Sequence, residues 1–238
     1  MSIGFIHTAD WQLGAPFGFI PGDAGAALRE ARFAVVQRIA ALACERAADA
    51  VLVAGDVFDG NAVSEATLSR ALDAMAAPFH GPWVLLPGNH DAALAESVWT
   101  RLAARRDLPP NVVLATEPRP LALADGRLVV LPAPLRRRHE DADLTGWFDG
   151  AATPAGCVRV GLAHGSVEGR LPDGAEIHNP IAADRAARAR LDWLALGDWH
   201  GTCFLDRRTA YAGTPEPDRF KDNDPGAVLF VRIAAAGS

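Results

Sequence analysis

Across residues 3–91 the chain alternates short apolar runs with stretches whose apolar residues recur at helical spacing. No other feature restricts the fold so strongly. Ile3-Gly4-Phe5-Ile6, Ala50-Val51-Leu52-Val53-Ala54 and Trp83-Val84-Leu85-Leu86 have the length and composition of buried strands. Between the first two, Leu28, Phe33, Val36, Ile39 and Leu42 mark one face of a helix over 26–48. A second helix is expected over 64–77, with Ser64 as its N-cap and Glu65 in its first turn. A β-α-β-α-β series implies parallel strands joined by crossover helices. The C-terminal ends of such strands share one edge, and ligands bind there.

What stands at those ends is consistent. The first three runs lead to Asp10 with Gln12, to Asp56, and to Gly88-Asn89-His90-Asp91. Further on, helices are expected over 92–105 and 182–190, and strands over 112–114, 120–123 and 128–131. Asp125-Gly126 is a hairpin signal between the last two strands. The segment 136–154 is polar and weakly patterned, and 168–180 reads as a loop. Strands over 158–163 and 191–196 end in His164 and in Gly197-Asp198-Trp199-His200, and two more are expected around 209–212 and 227–233. Each of these polar residues has an ordinary reading on its own, as a turn, a cap or a packed histidine. Five strand ends carrying carboxylate, amide and imidazole donors point instead to metal. So many donors exceed one tetrahedral ion, and two ions ~3.5–4 Å apart are the recurring device of phosphoryl transfer.

Composition removes several other functions. A net charge of −6 argues against a broad electropositive surface for nucleic acid, although Arg136-Arg137-Arg138 is a local basic strip. Three cysteines without CxxC spacing suggest neither a disulfide framework nor a zinc ribbon, and Cys44 is expected in the core. No apolar run approaches the ~20 residues of a membrane span and no signal peptide is evident, so a cytoplasmic protein is expected.

The five motifs resemble, in order, those of the calcineurin-like metallophosphoesterases: D-x-H, G-D-x-x-D, G-N-H-[DE], a strand-end H, and G-H-x-H. Here they read Asp10-Trp11-Gln12, Gly55-Asp56-Val57-Phe58-Asp59, Gly88-Asn89-His90-Asp91, Ala163-His164-Gly165 and Gly197-Asp198-Trp199-His200. The flanking words, among them the stretches 7–14 and 211–217, are similar to the DNA-repair exonuclease branch, which includes the nuclease subunit of the SbcCD complex. The resemblance implies an α/β sandwich of two mixed β-sheets flanked by helices, with the metal site at strand C-terminal ends. It implies two divalent ions bridged by Asp56. Asp10, Gln12 and His200 would hold one, and Asn89, His164 and Asp198 the other. His90 would face the scissile phosphate with Asp91 orienting it, and a metal-bound hydroxide would attack in line.

Two positions depart from the family pattern. Gln12 and Asp198 stand where histidine is usual, replacing nitrogen donors with oxygen on both metals. Such a site favours Mn²⁺, with Fe, Mg²⁺ and Zn²⁺ as the other candidates. Trp11 and Trp199 flank proposed ligands, so they are either an aromatic wall for substrate or packing behind the loops. The expected function is phosphodiester hydrolysis, which the resemblance implies is exonuclease-like with an ATPase partner. A single domain over 1–238 without a C-terminal DNA-capping domain is expected, and with the acidic balance this expectation counts against stand-alone duplex binding. A phosphoesterase for nucleotides or other small esters and a catalytically inert metal-binding scaffold are the alternatives.

Overall fold

A computed structural model describes residues 2–20, 22–76, 78–169, 178–217 and 223–237. Most of the loop expected over 168–180 lies outside the described residues, as does Lys221. The elements are β1 (Ile3–Thr8), α1 (Asp23–Glu45), β2 (Ala50–Val53), α2 (Glu65–Ala76), β3 (Trp83–Leu85), α3 (Val98–Ala103), β4 (Val112–Leu114), β5 (Leu121–Leu123) and β6 (Leu128–Ala133). They continue with β7 (Val158–His164), β8 (Ser166–Val167), β9 (Pro180–Ile181), α4 (Arg185–Arg188), β10 (Trp193–Gly197), β11 (Cys203–Asp206), β12 (Thr209–Tyr211) and β13 (Leu229–Ile233).

Two mixed sheets stack face to face. One has the order β13-β1-β2-β3-β4, the other β11-β12-β10-β7-β6-β5. In the first sheet β1 to β4 are parallel and β13 closes the edge antiparallel to β1. The second keeps β6, β7, β10 and β12 parallel, with β5 and β11 antiparallel at its edges. Side chains alternate between the two faces as the pleat requires. Phe5, Leu52 and Val84 meet Val130, Val160, Leu162 and Ala195 between the sheets, while Ile6, Val51, Val53 and Leu85 pack under the helices. The outer face of the second sheet is covered by Phe148, Ala186 and Leu191. The expected sandwich is the observed one, and no helix among the described residues is long and apolar enough to cross a membrane.

Register then sets the site. Thr8 pairs with Val53 and Val53 with Leu85, so three strands of the first sheet end level; Gly197 pairs with His164 in the second. Five loops therefore leave the sandwich along one rim.

Local differences from the sequence expectations have physical causes. The helix expected over 92–105 forms only from Val98, because Ser97 caps it in a capping box with Thr100 and Ala93 N–H is bonded to Leu135 O at 2.8 Å. Cys44 is exposed, not in the core: it lies about 100° around the helix from buried Ala43. Within 136–154, a 3₁₀ turn over Leu144–Gly150 is held by Arg185, which bonds both Asp143 and Asp149.

His7 ties the two sheets together. Fully buried, it approaches Leu196 O with Nε2 at 3.1 Å, and its Nδ1 accepts from the Trp193 indole N–H at 3.4 Å. That pattern fits the neutral Nε2–H tautomer, and burial lowers its pKa from 6.5 to about 4, opposed by the Leu196 bond. The unfolded chain takes up this proton near pH 6.5, the folded one only near pH 4. The stability at stake is intact above pH 6.5 and is lost as pH falls from 6.5 to 4, up to about 3 kcal/mol. Denaturant unfolding of His7→Gln should show a shallower loss than wild type across that window; identical slopes would exclude His7 as the cause.

Candidate active site

The loops after β1 and β2 are joined through their backbones. Asp10 N–H donates to Gly55 O at 3.1 Å, Gln12 N–H to Asp56 O at 2.9 Å, and Leu13 N–H to Val57 O at 2.9 Å. Backbone at the rim takes an uncommon conformation: Asp10, Gln12 and Asp56 in this lattice have φ of 55°, 46° and 53°, and Asp198, whose N–H donates to the Asp10 carboxylate, has φ of 99°. Positive φ in non-glycine residues costs on the order of 1–3 kcal/mol each and persists where surrounding structure enforces it. Here it turns four polar side chains toward one place.

Asp10, Asp56 and His164 bring ligand atoms within 4.8 Å of one another, and all three are buried. His164 Nδ1 lies 2.8 Å from Ala54 O, which fixes a donor there and leaves Nε2 for the site. Nε2 is 3.6 Å from Asp56 Oδ1, 3.6 Å from Asp198 Oδ1 and 3.2 Å from Asn89 Oδ1. His200 Nε2 is 3.9 Å from Asp10 Oδ1, and Gln12 lines the same cleft. Asp10, Asp56 and His164 thus form one buried group, with Asn89 and Asp198 beside His164, His200 beside Asp10, and Gln12 on the adjoining cleft. Glycine permits the approach: a Cβ on Gly88 would sit 2.1 Å from Asp56 Oδ1.

The electrostatics fit a cation. Asp10 and Asp56 are buried, and their ion-pair partners are the histidines His200, His164 and His90. Burial raises Asp10 to about 6, with His200 and His164 opposing. Burial works against charge on His164, yet the carboxylates of Asp56, Asp10 and Asp198 together raise it to about 9. The imidazolium thus stands in for positive charge that a carboxylate, amide and imidazole donor set is suited to receive from divalent ions.

Two roles change. Asp91 does not hold His90. Its carboxylate accepts from Gly88 N–H at 2.7 Å and from Phe58 N–H at 3.0 Å, stitching the β2 and β3 loops together. Burial and the charge of Asp56 raise its carboxyl to about 8, against those two amides. His90 instead places Nδ1 3.2 Å from the carbonyl of Asp59 and 4.0 Å from its carboxylate, while its backbone N–H donates to Asp56 Oδ1 at 2.9 Å. Asp91→Ala should therefore strand two buried amides and lower stability by about 2–4 kcal/mol, read from chemical denaturation. Unchanged stability would contradict this stitching role.

Of the two readings of the tryptophans, packing holds for Trp11. Trp11 is 1% exposed, packs edge-on to Trp83 at 5.9 Å and donates its indole N–H to Thr8 Oγ1 at 2.9 Å, so it is core. Trp199 is partly exposed and is not among the described residues that line the cleft. Sequence reading passed over Ser166, whose hydroxyl donates to Asp198 Oδ2 at 3.3 Å, and Thr214, whose hydroxyl donates to Asp10 O at 3.0 Å. Thr214 lay within a quoted motif word; Ser166 had no signal beyond following His164-Gly165.

A two-sheet α/β sandwich with a buried Asp/His cluster where its strands end is the architecture of a candidate divalent-metal site. The chain belongs to the calcineurin-like phosphoesterase family, whose sequence model matches residues 3–229. It is similar to the uncharacterized metallophosphoesterase YhaO of Bacillus subtilis (strain 168), at 25% identity over 255 residues. That alignment covers 96% of this chain and 57% of the relative, so the chain spans little more than half of that protein's length.

Proposed function

We propose that the chain hydrolyses phosphodiesters with two divalent ions, Mn²⁺ preferred, at the rim where its five loops meet. The supporting observation is the buried group of Asp10, Asp56 and His164 beside a cleft of about 410 Å³ lined by Gln12, Asp56, Asn89, Asp198 and His200, with His90 at 4.0 Å from Asp56. In this reading Asp56 is shared between the ions; Asp10, Gln12 and His200 hold one, and Asn89, His164 and Asp198 the other. The ions supply charge that neutralises the phosphoryl oxygens and lowers the pKa of the attacking water. His90 anchors Nδ1 on Asp59 O and directs Nε2–H, as imidazolium, to the leaving oxygen, which it protonates. Asp59 and the backbone bond to Asp56 keep that ring oriented.

The test is metal analysis with hydrolysis of bis(p-nitrophenyl) phosphate beside a p-nitrophenyl monoester, cyclic nucleotides and single-stranded and duplex DNA. Two bound ions and Mn²⁺-stimulated diester cleavage support the reading. No cleavage of any ester under full metal loading would favour an inert scaffold.

The metal preference has its own test. The double variant Gln12→His with Asp198→His exchanges two oxygen donors for nitrogen and should raise the affinity for Zn²⁺ relative to Mn²⁺ by about tenfold or more in competition dialysis. An unchanged ratio would mean that neither side chain coordinates.

A further inference from the structure

The loop after Gln12 forms the apolar side of the same cleft: Ala15, Pro16, Phe17 and Phe19 line it together with Asp56, Asn89 and His90. Phe17 is buried, and its ring lies under the Arg32 guanidinium, 5.1 Å from the ring centroid. Arg32 also donates to Trp11 O at 2.6 Å, so the base of this loop is tied to the segment that carries Asp10 and Gln12. Arg29 bonds Pro16 O at 2.8 Å, and Ile20 N–H donates to Phe17 O at 3.0 Å, closing the turn. Phe19 is carried out of this anchored base. Its ring is tilted 53° to Phe17 at 6.2 Å, and the residue is 68% exposed.

A lone exposed phenylalanine needs no explanation. Phe19 differs in its setting: it stands on a fixed loop, in the wall of a cleft whose other side carries the phosphoester chemistry. Trp11 and Trp199, the aromatic residues next to the ligands in sequence, do not fill this place. Resting on the phosphodiesterase reading, we propose that Phe19, backed by Phe17, is a specificity residue that stacks a planar ring of the substrate. The class of ligand is a nucleotide-sized phosphoester bearing a heteroaromatic base. A 410 Å³ cleft lies in the range that encloses one such ligand. The phosphate goes to the Asp/His side, and the base covers the phenyl face that water now covers. Stacking a base on an aromatic side chain changes affinity by about 5- to 100-fold and is tolerant of base identity.

The test uses equilibrium binding, which does not require turnover. Dissociation constants for thymidine 5′-monophosphate and 2-deoxyribose 5-phosphate are measured by calorimetry on Mn²⁺-loaded wild type, Phe19→Leu and Phe19→Trp. Wild type should bind the nucleotide at least fivefold more tightly than the sugar phosphate. Phe19→Leu, which keeps apolar area without an aromatic face, should bring that ratio close to one, and Phe19→Trp should keep or enlarge it. A wild-type ratio near one overturns the proposal. So does a ratio that survives Phe19→Leu, the outcome expected for an aliphatic groove, and so does failure of both ligands to bind. Hydrolysis of bis(p-nitrophenyl) phosphate by the same wild-type preparation separates the two readings: cleavage with no base discrimination refutes the shelf alone, whereas discrimination without cleavage refutes the phosphodiesterase reading alone.

Discussion

Asp56→Asn should reduce kcat/KM for a phosphodiester by about 10³-fold or more, equivalent to at least about 4 kcal/mol of transition-state stabilisation. The substitution keeps the shape of the side chain and an oxygen to accept from His90 N–H. It removes the negative charge that two ions would share. Bound metal, counted by mass spectrometry, should fall with activity. Stability provides the control. Asp56 lies near Asp10 and Asp91, and its charge contributes to raising the pKa of both. Removing that charge relieves repulsion with Asp10 but forfeits attraction to the His164 imidazolium, so the two effects oppose and the metal-free variant should unfold at about the same denaturant concentration as wild type. Retained activity, or lost activity with a destabilised metal-free fold, would count against the bridging role.

His90→Ala should lower kcat by about 10²- to 10⁴-fold while leaving metal content unchanged. The reason lies in its two attachments. The bond to Asp56 is made by the backbone of residue 90, which alanine keeps, whereas the ring is partly exposed and faces the cleft. The loss should depend on the leaving group. Esters with good leaving groups such as p-nitrophenolate should lose less than alkyl or nucleoside esters, which need a proton on the departing oxygen. Equal losses across the leaving-group series would assign His90 to charge stabilisation instead of proton transfer.

These expectations draw unevenly on sequence and structure. The parallel strands, the crossover helices and the candidate ligands were legible because periodicity and chemistry coincided at each strand end, an apolar run with strand length, then glycine or aspartate, then a donor; the two-sheet sandwich was implied by the family resemblance. Gly88 is an example, since only a residue without Cβ lets Asp56 come so close. Direction within a loop was not legible. Asp91 and Asp59 both sit in motif loops near His90 in sequence, and only the coordinates show that Asp91 faces two amides while Asp59 meets the imidazole. Trp11 stayed open between wall and packing for the same reason, because adjacency to Asp10 says nothing about which side of a turn at φ 55° its indole takes. Long-range pairings were hidden as well. The antiparallel closure of β13 on β1 joins Ile3 with Ile233, and β11 pairs with β12 although its pattern carries exposed Phe204. Such pairings depend on partners that a local window does not contain.

The proposed site stands on two ions sharing Asp56, which anomalous scattering from crystals grown with Mn²⁺, collected on both sides of the manganese edge, can count and place. Two peaks about 3.5–4 Å apart are expected. One should be bounded by Asp10, Gln12, Asp56 and His200, the other by Asp56, Asn89, His164 and Asp198. A single peak, or a pair that does not share Asp56, would contradict it.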